Sequence, residues 1–97
     1  MKVDWTETAE AHLDAIYSYI AQNSTTYALR TVDRITNRSK QIGAFPLSGR
    51  KVSEYDVDQI REVFSGPYRI IYYIKPNQVD VIAVIHGAMS VFNKDNE

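Results

Sequence analysis

Arg61, Arg69 and His86 are the residues of this 97-residue chain whose types suit chemistry on a phosphodiester. Cleaving such a bond without a metal needs an activated nucleophile, a stabilised phosphate charge and a proton for the leaving oxygen. Two guanidiniums can clamp the phosphate, an imidazole can supply the proton, and Arg50 and Lys51 can add charge from the preceding segment. The same residues suit a plainer role. Arg61 and Arg69 can pair across strands with Glu62, Asp80 or the C-terminus, and a lone histidine at a strand end is commonly a hydrogen-bonded structural residue. Other site chemistries fail early. There is no cysteine, which removes disulfides, thiolate zinc sites and a Cys nucleophile. His12 and His86 are the only histidines, and no spacing groups them with carboxylates as a metal site. Gly43, Gly49, Gly66 and Gly87 are scattered, so no phosphate-cradling loop is present. Neither a cofactor nor a metal is expected.

The elements that must position these residues are legible from periodicity. Lys2–Trp5 is a short segment ending at Thr6, a good N-cap, with Glu7 in the first turn. Ala9, Leu13, Ile16, Tyr17 and Ile20 then recur at helical spacing, predicting a helix over 7–22. Asn23–Thr26 breaks it and can cap a second helix over 26–42, whose narrow face is Ala28, Val32, Ile35, Ser39 and Ile42. Gly43 is expected to stop it, with Pro46 beyond. Arg30, Arg34 and Arg38 form a separate stripe, either a solvated face or a contact with an acidic protein or DNA. The short polar link implies an antiparallel helical hairpin.

After residues 43–49 the pattern changes to period two. Ile60–Phe64, Tyr68–Ile74 and Val79–His86 are rich in β-branched and aromatic residues, with turn sequences at 65–67 and 75–78. Two hairpins follow, and residues 50–55 offer a further strand. The fold class is α+β: the helical hairpin packed on one face of a small antiparallel sheet, as a single domain over 1–97 with 87–97 as a flexible tail. Pairing Phe64 with Tyr68 and Ile74 with Val79 places Ile60, Phe64, Tyr68, Ile70, Tyr72, Ile74, Val79, Val81, Ala83 and Ile85 toward the helices. It places Arg61, Val63, Arg69, Ile71, Tyr73, Asp80, Ile82, Val84 and His86 on the opposite face. The assignment depends on register, since a one-residue slip exchanges the faces of a strand.

Composition narrows the function classes. Eleven basic against twelve acidic residues give a net charge of −1, which argues against a free-standing, charge-driven nucleic-acid binder. The balance is uneven. Residues 1–24 carry −3, residues 25–53 carry +5 and residues 54–97 carry −3. No apolar run approaches the roughly 18 residues of a membrane span, and Met1–Trp5 lacks the apolar core of a signal peptide. A cytoplasmic domain is the expectation.

Four segments in order resemble the RelE/ParE superfamily of type II toxins, most like its ParE branch. Val3-Asp4-Trp5-Thr6-Glu7-Thr8-Ala9 is similar to the family's first strand running into its first helix. Phe45-Pro46-Leu47-Ser48-Gly49-Arg50 is similar to its helix-to-sheet connection. Ile60–Phe64 with Tyr68–Tyr73 resembles its central hairpin, and Val81–Ala88 its last strand and exit. The resemblance implies a cognate antitoxin and a hetero-oligomer with it. It also implies one of two modes of growth inhibition: ParE-like members poison DNA gyrase, and RelE-like members cut mRNA on the ribosome. RelE-like members supply clustered Lys and Arg with a C-terminal Tyr or His. Here no tyrosine follows Tyr73, and His86-Gly87-Ala88-Met89 lacks the arginine that many relatives carry two residues after His-Gly. These departures and the near-neutral charge favour gyrase, with the mRNA endonuclease, using Arg61, Arg69 and His86, as the alternative. A third reading is a degenerate member that only binds antitoxin. The antitoxin is expected on the mixed face, at Arg61, Arg69, Ile71, Tyr73 and Ile82, or added to a sheet edge.

Overall fold

A computed structural model describes residues 1–87. Strand β1 (Lys2–Trp5) leads into helix α1 (Glu7–Ala21), then helix α2 (Thr25–Ala44), a single 3₁₀ turn at Pro46–Ser48, and strands β2 (Arg50–Lys51), β3 (Ile60–Ser65), β4 (Tyr68–Ile74) and β5 (Gln78–His86). The caps are those the sequence implies. The Thr6 hydroxyl accepts from the Ala9 amide at 3.1 Å, and that of Ser24 from the Tyr27 amide at 3.0 Å. Each satisfies an amide that the first helical turn leaves without a partner. Thr6 also donates, through both its amide and its hydroxyl, to the Val81 carbonyl, and so fixes the start of α1 to β5.

Helix α2 passes through Gly43 and ends one residue later, at Ala44. The glycine there serves packing rather than termination. A Cβ at this position would collide with the Met1 carbonyl oxygen and crowd Val3 at 3.0 Å, so its absence lets the first strand lie against the helix end.

The strands form one sheet in the order β1-β5-β4-β3-β2. Pairing is antiparallel except for the added edge strand β1, which runs parallel to β5 from Lys2↔Gln78 to Trp5↔Val81. The further strand expected over 50–55 shrinks to the two residues of β2. Both helices pack on one face. Ala9, Ile35 and Ile42 meet Val63, Ile70, Tyr72, Val79, Val81 and Val84 in the buried core, with Leu13 and Ile16 of α1 against it. Fully burying such aliphatic side chains stabilises by about 1.5–3 kcal/mol each.

The register differs from the expected one at two places, and both change which side chains share a face. Ser65 pairs with Tyr68, leaving a two-residue turn, Gly66-Pro67. Gly66 adopts φ +55°, the positive value that the first corner of such a turn demands and that glycine reaches without strain. This one-residue slip turns Arg61 and Val63 toward the helices, and Ile60, Glu62 and Phe64 away from them. The second difference is a β-bulge. Tyr72 pairs with Val81 but Ile71 with Ala83, so β5 carries Ile82 as an extra residue. Beyond the bulge Val84 and His86 join the helix side, while Ala83 and Ile85 face away. The expected face uniting Arg61, Arg69 and His86 therefore does not form.

At the β4–β5 turn, Lys75 pairs with Asp80 at 2.7 Å, and Gln78 donates to the same carboxylate at 2.6 Å. The lysine contact first and the amide second hold the Asp80 carboxyl below its ordinary range. A carboxyl lowered on folding adds stability above its unfolded pKa, and that stability is lost as pH falls through the folded value. The partly exposed lysine keeps the effect small. Lys75→Met is expected to move the Asp80 titration midpoint upward, toward the ordinary carboxylate value of about 3.9. Side-chain carboxyl NMR across pH 2–6, roughly the range of carboxyl titration, measures this, and an unmoved midpoint refutes it.

Candidate functional site

The face away from the helices is organised around a chain of charges. Arg69 donates from Nε to Glu62 at 2.6 Å, and from both terminal nitrogens to Glu54 at 3.0 and 2.9 Å. The other Glu62 oxygen accepts from Arg50 Nε at 2.7 Å. Glu62 and Arg69 are only 3% and 6% exposed. The hydrogen bonds Arg69 donates to Glu54 are the leading cause that raises its pKa further, so the guanidinium is permanently charged and held by two carboxylates. Arg50 also lies over the Phe64 ring, 5.0 Å from its centroid. Glu54 belongs to the segment after β2, and its grip on Arg69 ties that segment to the sheet. Val52 is buried beside it.

The other residues singled out from sequence lie apart. Arg61 donates to the carbonyls of Asp58 and Gly49, both at 3.1 Å. His86 stands edge-on to Tyr68 with ring centroids 5.9 Å apart. Arg61 sits opposite Tyr72 and His86 opposite Tyr68, four residues along β4, or roughly 13 Å at the usual strand rise. Arg61, Arg69 and His86 are not brought together around one reacting atom. Among the residues expected to meet a partner, Ile71 is fully buried and Tyr73 is 40% exposed. Ile82 is half-buried at the bulge. Of the helix stripe, Arg30 and Arg34 are exposed, while Arg38 donates to the Phe64 carbonyl at 3.3 Å and to Gln41 at 2.9 Å. That contact covers part of the outer edge of β3. Tyr68 and Tyr72 both have pKa values raised, in each case mainly by burial, so neither supplies a ready phenolate base.

A different feature emerges on the helix side. An apolar groove of about 550 Å³ runs between α1 and the end of β5, lined by His12, Ile16, Tyr19, Tyr68, Val84 and His86 among others. It opens where β1 stops: β1 covers β5 only as far as Val81, so Ile82–His86 have β4 alone as a strand neighbour among the described residues. His12 Nδ1 accepts the Val84 amide at 3.1 Å, anchoring α1 to this part of the edge. Sequence reasoning missed the groove because the unbulged register turned Val84 and His86 away from the helices. The one available signal was Tyr19, a large aromatic just off the apolar stripe of α1.

A third local structure is rigid. The Tyr72 hydroxyl donates to the Pro46 carbonyl at 2.6 Å and accepts the Gly49 amide at 3.0 Å, pinning the connection from α2 to β2. A Cβ on Gly49 would strike that hydroxyl and lie 2.7 Å from the Glu62 carbonyl oxygen.

Residues 3–91 match the family model described as the ParE toxin of the type II toxin–antitoxin system parDE. The chain belongs to the RelE/ParE superfamily of toxins. It is 33% identical over 88 residues to Toxin RelE2 of Caulobacter vibrioides, covering 90% of this chain and 96% of that one. The fold of the toxin matches a chain of the chromosomal ParDE TA system from P. aeruginosa with a TM-score of 0.74. That match has 24% identity and covers 89% of this chain and 95% of the other. The α+β architecture with two helices on one side of the sheet is the architecture of that structure. Membership brings a cognate antitoxin as partner. No helix among the described residues is long and apolar enough to cross a membrane.

Proposed function

We propose that this toxin stops growth by poisoning DNA gyrase in the cytoplasm through protein–protein contact, and that its antitoxin neutralises it from the groove between α1 and β5. The observation that carries the first part is the state of Arg69. Its side chain is only 8% exposed and three of its five N–H donors are held by Glu54 and Glu62, so little of the guanidinium is open to a scissile phosphate. Arg61 and His86 stand too far apart to replace it, and the match to the ParE family model points the same way. The groove supports the second part. It is apolar, large enough for several side chains, and bordered by a sheet edge to which an extended segment can add. The far face offers a partner less, since Ile71 and Arg69 are already covered. Tyr73 and Ile82 complete that smaller surface.

The endonuclease reading has one observation in its favour: the relative that is 33% identical carries the name Toxin RelE2. A single experiment separates the two. Purified toxin is expected to inhibit gyrase supercoiling at near-stoichiometric amounts, with antitoxin restoring it, while translation of a reporter mRNA continues. Untouched supercoiling together with codon-specific cuts on translating ribosomes would reverse the assignment.

A further inference from the structure

We infer that the turn carrying Phe45 and Leu47 is the surface with which the toxin grips its target, a protein face where an apolar pocket is rimmed by carboxylates. This rests on the reading that the toxin acts by protein contact.

Phe45 and Leu47 are 68% and 70% exposed. Two large apolar side chains within three residues, standing in water, are unfavourable unless something covers them. They are not exposed through looseness. Ser48 donates to the Phe45 carbonyl at 3.0 Å, and the Tyr72 hydroxyl grips the backbone on either side, at Pro46 and Gly49. A turn ordered in advance loses little further entropy on binding, and buried aromatic and aliphatic anchors dominate the energetics of protein interfaces.

Charge identifies the partner. No acid occurs between Asp33 and Glu54, while Arg38, Lys40, Arg50 and Lys51 bracket the turn. Arg50 and Lys51 pair with Glu62 and Asp58, yet their side chains remain 69% and 63% exposed. Arg50, Lys51 and Arg69 are balanced by Glu62, Asp58 and Glu54, so the positive excess beside the turn is carried by Arg38, Lys40 and Arg61, the last donating to the Gly49 carbonyl. An acidic rim on the partner complements this arrangement. A nucleic acid fits less well. Its phosphates would compete with Glu62 and Asp58 for the nearest cations, and Leu47 offers no stacking surface.

The turn leads into β2, at one edge of the sheet, and the groove lies beside β5. Three strand spacings separate them, roughly 14 Å. Target grip and antitoxin seat are therefore separable by mutation.

The test is the double variant Phe45→Ser/Leu47→Ser, with Tyr19→Glu in the groove, at a side chain 73% exposed, as its counterpart. Both should melt as cooperatively as the parent. The double variant is expected to need at least ten times more protein to inhibit supercoiling, and to keep its antitoxin affinity within about twofold. Lys40→Glu should weaken inhibition in the same assay. Tyr19→Glu should show the reverse pattern, active against gyrase and released from antitoxin. Undiminished inhibition by the double variant overturns the inference, as does a parallel loss of antitoxin affinity, which would assign the turn to the antitoxin. If the parent toxin itself leaves gyrase untouched, the gyrase reading falls, and growth arrest without antitoxin becomes the readout. Arrest lost in the double variant then supports the surface, and arrest retained overturns it.

Discussion

Arg69→Met is expected to lower the stability of the fold by about 3–5 kcal/mol, the cost of leaving a buried carboxylate without its partner. Whole domains of this size are stable by only about 5–15 kcal/mol, so the variant should be marginal at 37 °C. The size follows from the geometry. Glu62 is nearly sequestered and keeps only the single bond from the largely exposed Arg50 once Arg69 is gone, and Glu54 loses both of its hydrogen bonds from the guanidinium. Arg69→Lys preserves the charge but not the fork that engages two carboxylates at once, so it should recover only part of the loss. Replacing Arg69, Glu62 and Glu54 together by Met and Leu should recover most of it, because apolar substitutes for a buried ion cluster are often neutral. Urea denaturation measures all three variants. An Arg69→Met protein as stable as the parent would show that the network contributes nothing.

This has a consequence for mechanism. In a RelE-like enzyme, loss of activity on removing an arginine suggests a phosphate clamp. Here the same loss would follow from unfolding. Only an Arg69 variant whose fold has been restored by the apolar triple replacement can report on catalysis, and under the gyrase reading that variant stays toxic.

The helices were legible because their signals are local. Thr6 and Ser24 cap where their side-chain chemistry requires, and Ile35, Ser39 and Ile42 lie buried at the spacing that marked them. Tyr72 is core, as its place in the pattern implied. The faces of the sheet were not legible, because two small irregularities decide them. Ser65-Gly66-Pro67 is compatible with a two- or a three-residue turn, and the choice moves every side chain of β3 to the other face. Val81-Ile82-Ala83-Val84-Ile85 is apolar throughout, so nothing in it marks the extra residue at the bulge. Glu62 was one of the partners expected for Arg69. Glu54 lies fifteen residues away in a loop with no pattern, and only the fold brings it there.

Tyr72→Phe should cost about 2 kcal/mol or more, far beyond the loss of one oxygen atom from a surface tyrosine. The hydroxyl serves two backbone groups at once, the buried Gly49 amide and the Pro46 carbonyl, and each unsatisfied buried polar group costs about 1–3 kcal/mol. Phenylalanine fills the same volume, so no cavity contributes, in contrast to Tyr72→Ala, where about 3–5 kcal/mol is expected. The damage is also local. Without the hydroxyl the Phe45–Gly49 turn loses its anchor to β4, so exchange of the Gly49 amide should accelerate more than exchange in the core of α2. If the turn grips the target as inferred, supercoiling inhibition should weaken at temperatures where Tyr72→Phe remains fully folded, because Phe45 and Leu47 must then be ordered at the moment of binding. Unchanged Gly49 protection would show that the hydroxyl does not hold the turn. Faster exchange with undiminished inhibition would show that its rigidity does not matter to the target.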